Sequence, residues 1–245
     1  MRYLVISDMH ANLHALEAVL ADAAGIGYDA VLVLGDLVGY GGDPTAVVER
    51  TLALNPVAIV RGNHDKVAAG LEPAALFNDV ARRAIEWTAQ TLPPSMIRAL
   101  VALPQGPIVV TSALEICHGA PFDEDFYVFD TDDARRAMEV STSPICLYGH
   151  THVPALFATI EHPLPPRPDL LVDEFQLPSD ARVLLNVGSV GQPRDGDPRA
   201  AYGLLDVERM VIRMRRVPYD IAGAQARILA AKLPPILAGR LERGQ

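Results

Sequence analysis

The 245-residue sequence has only two cysteines, Cys117 and Cys146, each inside an apolar, strand-like run. Two such thiols make no disulfide framework, so the expectation is a reducing compartment and two buried structural thiols. Positive charge is scarce as well, with 21 Lys+Arg against 30 Asp+Glu and a formal net charge of −9. Non-specific nucleic-acid binding, which needs a basic surface to displace counterions, is not expected. A small phosphorylated substrate stays admissible, because bound metal ions supply local positive charge. No apolar run approaches the ~18 residues of a membrane span. Met1 leads into a strand-like run without the basic-then-apolar pattern of a secretion signal. There is no internal repeat and no low-complexity tract. These absences predict a soluble, cytoplasmic protein with no membrane partner.

Half of the residues are hydrophobic, enough to bury a full core. The length suits a single α/β domain over residues 1–245. Apolar runs at Tyr3–Ile6, Ala30–Leu34 and Val57–Val60 alternate with helical patterns. Leu13, Leu16, Leu20 and Ala23 recur at helical spacing behind Asn12 as N-cap, and Asp43-Pro44 offers a cap and a first-turn proline for the next helix. This alternation predicts a largely parallel sheet with helices against it. Residues 77–103 read as a helical insert broken at Pro93-Pro94, with Phe77, Val80, Ala84 and Thr88 as core or lid packing. Further strands are expected at Ile108–Thr111, Leu114–Cys117 and Ile145–Tyr148, a helix at Asp132–Val140, and a proline-rich surface loop at His162–Pro168. Val183–Val187, Ala201–Val207 and Met210–Val217 suggest an antiparallel second sheet. A helical tail over 219–245, broken at Pro234-Pro235, packs on its own domain or on a partner's, which would make a homo-oligomer.

Five apolar runs end abruptly on polar, metal-competent side chains: Asp8 and His10, Asp36, Asn63 and His64, His118, and His150 and His152. Any one of these pairs alone is often an ordinary loop. Together, in order and each after a strand, they point to a metal site that takes in five of the seven histidines. In open α/β sheets ligands bind beyond the carboxyl ends of strands, and neighbouring strands lie about 5 Å apart, so these residues can converge. Two divalent ions about 3.5–4 Å apart can hold an attacking hydroxide while clamping phosphate oxygens. Asp36 is the expected bridging carboxylate. Mixed imidazole and oxygen donors suit Mn, Fe, Co, Ni or Zn better than Ca. The two-residue spacing of Asp8/His10 and of His150/His152 predicts an extended turn with both side chains on one side.

Asp8-Met9-His10, Gly35-Asp36, Gly62-Asn63-His64-Asp65, His118 and Gly149-His150-Thr151-His152 resemble the five signature blocks of the calcineurin-like metallophosphoesterases. Asn186-Val187-Gly188-Ser189 and the stretch through Pro198 resemble a small bacterial and archaeal phosphoesterase group within them. The resemblance implies two mixed β-sheets packed face to face and flanked by helices. It also implies one metal held by Asp8, His10, Asp36 and His152, and another by Asp36, Asn63, His118 and His150. His64 would stand beside both, protonating the leaving oxygen or stabilising the charged transition state. The second block departs from that of the protein serine/threonine phosphatases. Gly39 stands where they have the aspartate that orients the catalytic histidine, and Tyr40 where they have a phosphate-binding arginine. Asp65 stands where they have glutamate. A phosphoprotein substrate is therefore disfavoured. Arg194 either grips phosphate in their arginine's place or ties down its own loop, and Tyr40 either lines the pocket or packs in its loop. The expected function is a dinuclear metal-dependent phosphoesterase hydrolysing a small phosphorylated or nucleotide-like substrate by in-line attack of a metal-bridging hydroxide. The alternatives are a catalytically silent interaction scaffold on the same fold and a dinucleoside polyphosphate hydrolase.

Overall fold

The computed structural model describes residues 1–159 and 174–245, so the loop expected at His162–Pro168 lies outside the described residues. Strand β1 (Arg2–Ile6) leads through α1 (Leu13–Ile26) to β2 (Ala30–Val33), and α2 (Pro44–Ala53) leads to the short edge strand β3 (Ala58–Ile59). β1, β2 and β3 run parallel, as their alternation with helices predicts. Tyr3 and Val5 face one side of β1 and Leu4 and Ile6 the other, and both sides are buried. A strand covered on both faces reads as an unbroken apolar run, which is why it was visible in the sequence. Asn12 caps α1, its side chain accepting from the Ala15 N–H at 3.1 Å. Asp43 sits in the cap position of α2, but its side chain makes no capping bond to that helix. It instead accepts from Arg227 Nε at 2.7 Å.

Next come α3 (Asn63–Ala68), a single 3-10 turn at Ala74–Leu76, α4 (Asp79–Thr91) and α5 (Pro94–Val101). The helical insert is present and breaks at Pro93-Pro94. Phe77 precedes α4 rather than lying on its face, and the buried stripe is Ala81, Ala84, Ile85 and Thr88. The chain continues through β4 (Ile108–Thr111), β5 (Leu114–Ile116), α6 (Thr131–Val140), β6 (Ile145–Tyr148), β7 (Ala155–Ala158), β8 (Phe175–Gln176) and β9 (Val183–Asn186). It ends with β10 (Ala200–Asp206), β11 (Val211–Val217), α7 (Ile221–Ala230) and α8 (Pro235–Leu241).

Two mixed sheets result, in the orders β3-β2-β1-β10-β11-β8 and β4-β5-β6-β9-β7. The separate antiparallel sheet expected from the last three strands does not form. β10 pairs antiparallel with β1 and β11 and so extends the first sheet, whereas β9 joins the second sheet parallel to β6. A run of hydrophobic residues reports that a strand is buried but carries no information about the strand beside it.

The sheets pack face to face through Val5, Leu32 and Leu205 on one side and Ile116, Leu147 and Leu185 on the other. Each fully buried Leu or Ile contributes roughly 1.5–3 kcal/mol, so this interface is the rigid frame of the molecule. Helices α1 and α2 cover the outer face of the first sheet, and α6 covers the second through Ala134, Ala137 and Met138. Cys117 and Cys146 are buried and unbridged under α6. α7 and α8 pack on their own chain, against Tyr40, Ala81 and Ala84. No helix among the described residues is long and apolar enough to cross a membrane.

Candidate metal centre

The carboxyl ends of β1, β2 and β3 in one sheet, and of β5 and β6 in the other, open onto a common edge. The backbone leaves several of these strands in left-handed turns: Asp8, His10, Asp36, His150 and His152 have φ of 53°, 45°, 53°, 69° and 61°. The extended turns expected at the two paired motifs are therefore not what forms. A left-handed conformation costs a non-glycine residue roughly 1–2 kcal/mol, and such residues cluster at functional sites, where the surrounding structure holds them. Here the Asp8 N–H donates to Gly35 O and the His10 N–H to Asp36 O, both at 3.0 Å.

The turns bring the expected residues together. Asp8, His10, Asp36 and His152 each place a donor atom within 4.8 Å of the others, and Asp36, His118 and His150 do the same. Asp36 belongs to both groups. Its Oδ2 lies 3.5 Å from His10 Nε2 and 3.5 Å from His118 Nε2. His152 Nε2 is 3.0 Å from His10 Nε2 and 3.5 Å from Asp8 Oδ1, and His118 Nε2 is 3.1 Å from His150 Nδ1. These six residues are at most 3% exposed.

Backbone carbonyls set the tautomers. The outer ring nitrogens face Val38 O from His10 Nδ1 (3.0 Å), Leu34 O from His118 Nδ1 (2.7 Å), Gln192 O from His152 Nδ1 (2.6 Å) and Asp125 O from His150 Nε2 (3.1 Å). A carbonyl only accepts, so each outer nitrogen donates, and in a neutral ring the inner nitrogen turns its lone pair inward. Between His10 and His152, 3.0 Å apart, two lone pairs face each other and repel unless a positive charge lies between them. Burial holds His10, His150 and His152 well below the usual imidazole range and pushes the Asp8 carboxyl up to about 7. Burial also opposes charge on His118, but the Asp36 carboxylate outweighs it and raises that imidazole to about 10. Asn63 opens α3, and its Oδ1 is buried without a hydrogen-bond partner, a condition costing roughly 1–3 kcal/mol. The donor set, the opposed lone pairs and the orphaned amide oxygen fit a pair of divalent cations.

His64 packs between Tyr40 and Phe77, at ring-centroid distances of 4.4 and 4.7 Å, and its Nδ1 is buried and unpartnered. Gly39 sits beneath it at φ +89°, where an added Cβ would fall 2.2 Å from that nitrogen. An orienting aspartate has no room here, and aromatic walls hold the ring instead. Gly39→Ala is expected to displace His64 and lower turnover about 10²-fold without loss of bound metal, read by steady-state kinetics and elemental analysis. Gly62 serves a different contact, because a Cβ there would meet Asp36 Oδ1 at 2.1 Å. The His64 N–H donates to that same oxygen at 2.9 Å.

Several residues outside the expected ligand set also build the site. Asp65 accepts from the Leu37, Val38 and Gly62 N–H groups at 2.9, 3.2 and 3.0 Å, which locks the Asp36 turn to the Asn63 turn. Asn186 donates to Gly149 O and Thr151 Oγ1, and Ser189 donates to Asp8 O, so the stretch after β9 ties together two ligand-bearing turns. Tyr127 stacks on His150, with centroids 3.7 Å apart. Its one sequence signal is a loop bearing Phe122, Phe126, Tyr127 and Phe129 in a chain only 6% aromatic. Phe77, expected as core or lid packing, lines a cleft with Tyr40, Asn63, His64 and His150. Tyr40 is both packed and pocket-lining. Arg194 donates to Gln192 Oε1 at 3.0 Å, and its guanidinium lies 5.7 Å from the Tyr40 ring, so it ties its loop and also faces the site.

A family model for the calcineurin-like phosphoesterase superfamily domain matches residues 1–210. The chain belongs to the calcineurin-like phosphoesterase superfamily. This calcineurin-like phosphoesterase is 37% identical to a metallophosphoesterase from Sphaerobacter thermophilus, whose crystal structure matches it with a TM-score of 0.84 over the whole of both chains. It is 35% identical over 252 residues to an uncharacterised protein of Methanocaldococcus jannaschii, covering 98% of this chain and 97% of that one. The crystal structure of a hypothetical protein from Pyrococcus horikoshii OT3 shares the fold, with a TM-score of 0.79 at 21% identity over 100% of this chain and 98% of that chain.

Proposed function

We propose that this calcineurin-like phosphoesterase is a dinuclear metal-dependent hydrolase of a small phosphorylated substrate. The observation that carries the reading is the pair of buried donor groups joined at Asp36. Asp8, His10, Asp36 and His152 would hold one divalent ion, and Asp36, Asn63, His118 and His150 the other. Bound there, Mn, Fe, Co, Ni or Zn would activate water and neutralise phosphoryl charge. The chain supplies the rest. Carbonyl contacts keep four imidazoles turned toward the centre, and the two aromatic walls keep His64 at the edge of the cleft. Burial lowers the His64 imidazole to about 4, so from there the ring hydrogen-bonds the charged phosphoryl group or, once protonated in the presence of that charge, delivers a proton to the departing oxygen. The complete donor set, together with His64, favours an enzyme over a silent scaffold on the same fold.

Arg194 is the proposed phosphate-gripping cation, since a guanidinium pairs bidentately with phosphate. Arg194→Ala is expected to raise KM roughly 10–100-fold, the worth of a hydrogen bond to a charged group, with a smaller change in kcat. Arg194→Lys should recover only part of the loss, because it restores the charge without the fork. Inhibition by inorganic phosphate should weaken in parallel, and an unchanged KM would leave Arg194 with its loop-tying role alone.

The direct test is hydrolysis of p-nitrophenyl phosphate and bis-p-nitrophenyl phosphate by metal-stripped protein before and after addition of Mn²⁺. Turnover restored by the metal is the expected result, and the preferred ester separates monoesterase from diesterase. Folded protein that stays silent with every divalent metal would favour the scaffold.

A further inference from the structure

Tyr127 and Phe129 form an aromatic shelf beside the metal centre. The Tyr127 ring stacks on His150 with the planes 26° apart, and the Phe129 ring lies parallel to Tyr127 within 2° at 5.3 Å. Both rings stay open to solvent, Tyr127 at 41% and Phe129 at 62%. Tyr127 shares its cleft with Phe77, Val67 and Leu76, and Leu76 is 93% exposed. Clustered exposed apolar surface marks a binding site more often than scattered single residues do. The cleft measures about 270 Å³, near the lower end of ligand pockets, which run roughly 300–1,000 Å³. That is room for one nucleoside-sized group.

The polar lining narrows the choice further. The buried Lys66 ammonium is taken up by Asp125, Glu72 and Glu124, at 2.5, 3.1 and 3.3 Å. Of the residues that line the cleft, Lys66 stands against Glu72 and Asp125, so that wall presents carboxylates around one cation. Such a wall offers acceptors to the N–H groups of a neutral ring.

Resting on the phosphoesterase reading, we propose that Tyr127, Phe129 and Phe77 determine specificity by seating a flat, uncharged aromatic group of the substrate, a nucleobase or comparable ring, beside the phosphoryl site at His150. The ring stacks on the shelf, and the phosphoryl group lies at the donor atoms of the centre.

Calorimetric titration of the Mn²⁺-loaded protein with adenosine 5′-monophosphate and with ribose 5-phosphate tests the shelf, since the two differ only in the base. The nucleotide should bind about tenfold or more tightly, the range of one base–aromatic stack. That preference should fall below about threefold in Tyr127→Leu and in Phe129→Leu and survive in Tyr127→Phe. Equal affinities in the native protein, or a preference that survives both leucine variants, would overturn the proposal. A parallel assay compares thymidine 5′-p-nitrophenyl phosphate with methyl p-nitrophenyl phosphate, which release the same phenolate. Nucleotide-selective binding without turnover of either ester keeps the shelf and removes the reaction. Turnover of both esters with equal affinities for the titrated pair removes the shelf and keeps the reaction.

Discussion

Asp36→Asn is expected to lower turnover about 10³-fold or more and to cost the protein bound metal. Asp36 is the one carboxylate common to both donor groups, with its Oδ2 equidistant from His10 Nε2 and His118 Nε2. Asparagine keeps the shape and removes the charge. Two cations bound to these donor groups would then lose the anion that screens them, and a loss of about 4 kcal/mol of transition-state stabilisation is about 10³ in rate. The fold should survive, because the His64 N–H still finds an oxygen at Oδ1. Kinetics on a p-nitrophenyl ester and elemental analysis of the same sample check both halves. Full metal content with full activity would mean that Asp36 bridges nothing.

His64→Ala separates chemistry from metal binding. The ring is in neither donor group, yet it packs against His10 at 4.8 Å as well as between Tyr40 and Phe77. Turnover should fall roughly 10²–10⁴-fold, the range of a lost general acid or base, while metal content stays at that of the native protein. Two substrates distinguish its two possible roles. If His64 protonates the leaving oxygen, an alkyl phosphate, with its poor leaving group, should lose far more than a p-nitrophenyl ester. If His64 only stabilises phosphoryl charge, both should lose alike. Retention of activity on both substrates would remove His64 from the mechanism.

How far the site was legible follows from where its information lies. Each candidate ligand ends a buried strand, and both the apolar run and the polar break after it are local patterns. Asp8, His10, Asp36, Asn63, His118, His150 and His152 could therefore be picked out, and the structure brings them to one edge of the two sheets. The left-handed turns were not legible, because distant segments impose them. Asp8 is held by Gly35 on one side and by Ser189 and Gly191 on the other. The same holds for strand pairing, where β9 and β10 read alike but join different sheets. Asp43 offered a plausible cap, and Arg227, 184 residues away, captured its carboxylate instead. Gly39 was legible as a missing aspartate. That its absence makes room for the His64 ring required the coordinates.

Anomalous diffraction from crystals grown with Mn²⁺ tests the central claim most directly, because it counts the ions and locates them. The account predicts two peaks per chain roughly 3.5–4 Å apart. One should lie against Asp8, His10 and His152, the other against Asn63, His118 and His150, with Asp36 touching both. A single peak, or two peaks of which one lies out of reach of Asp36, would contradict it.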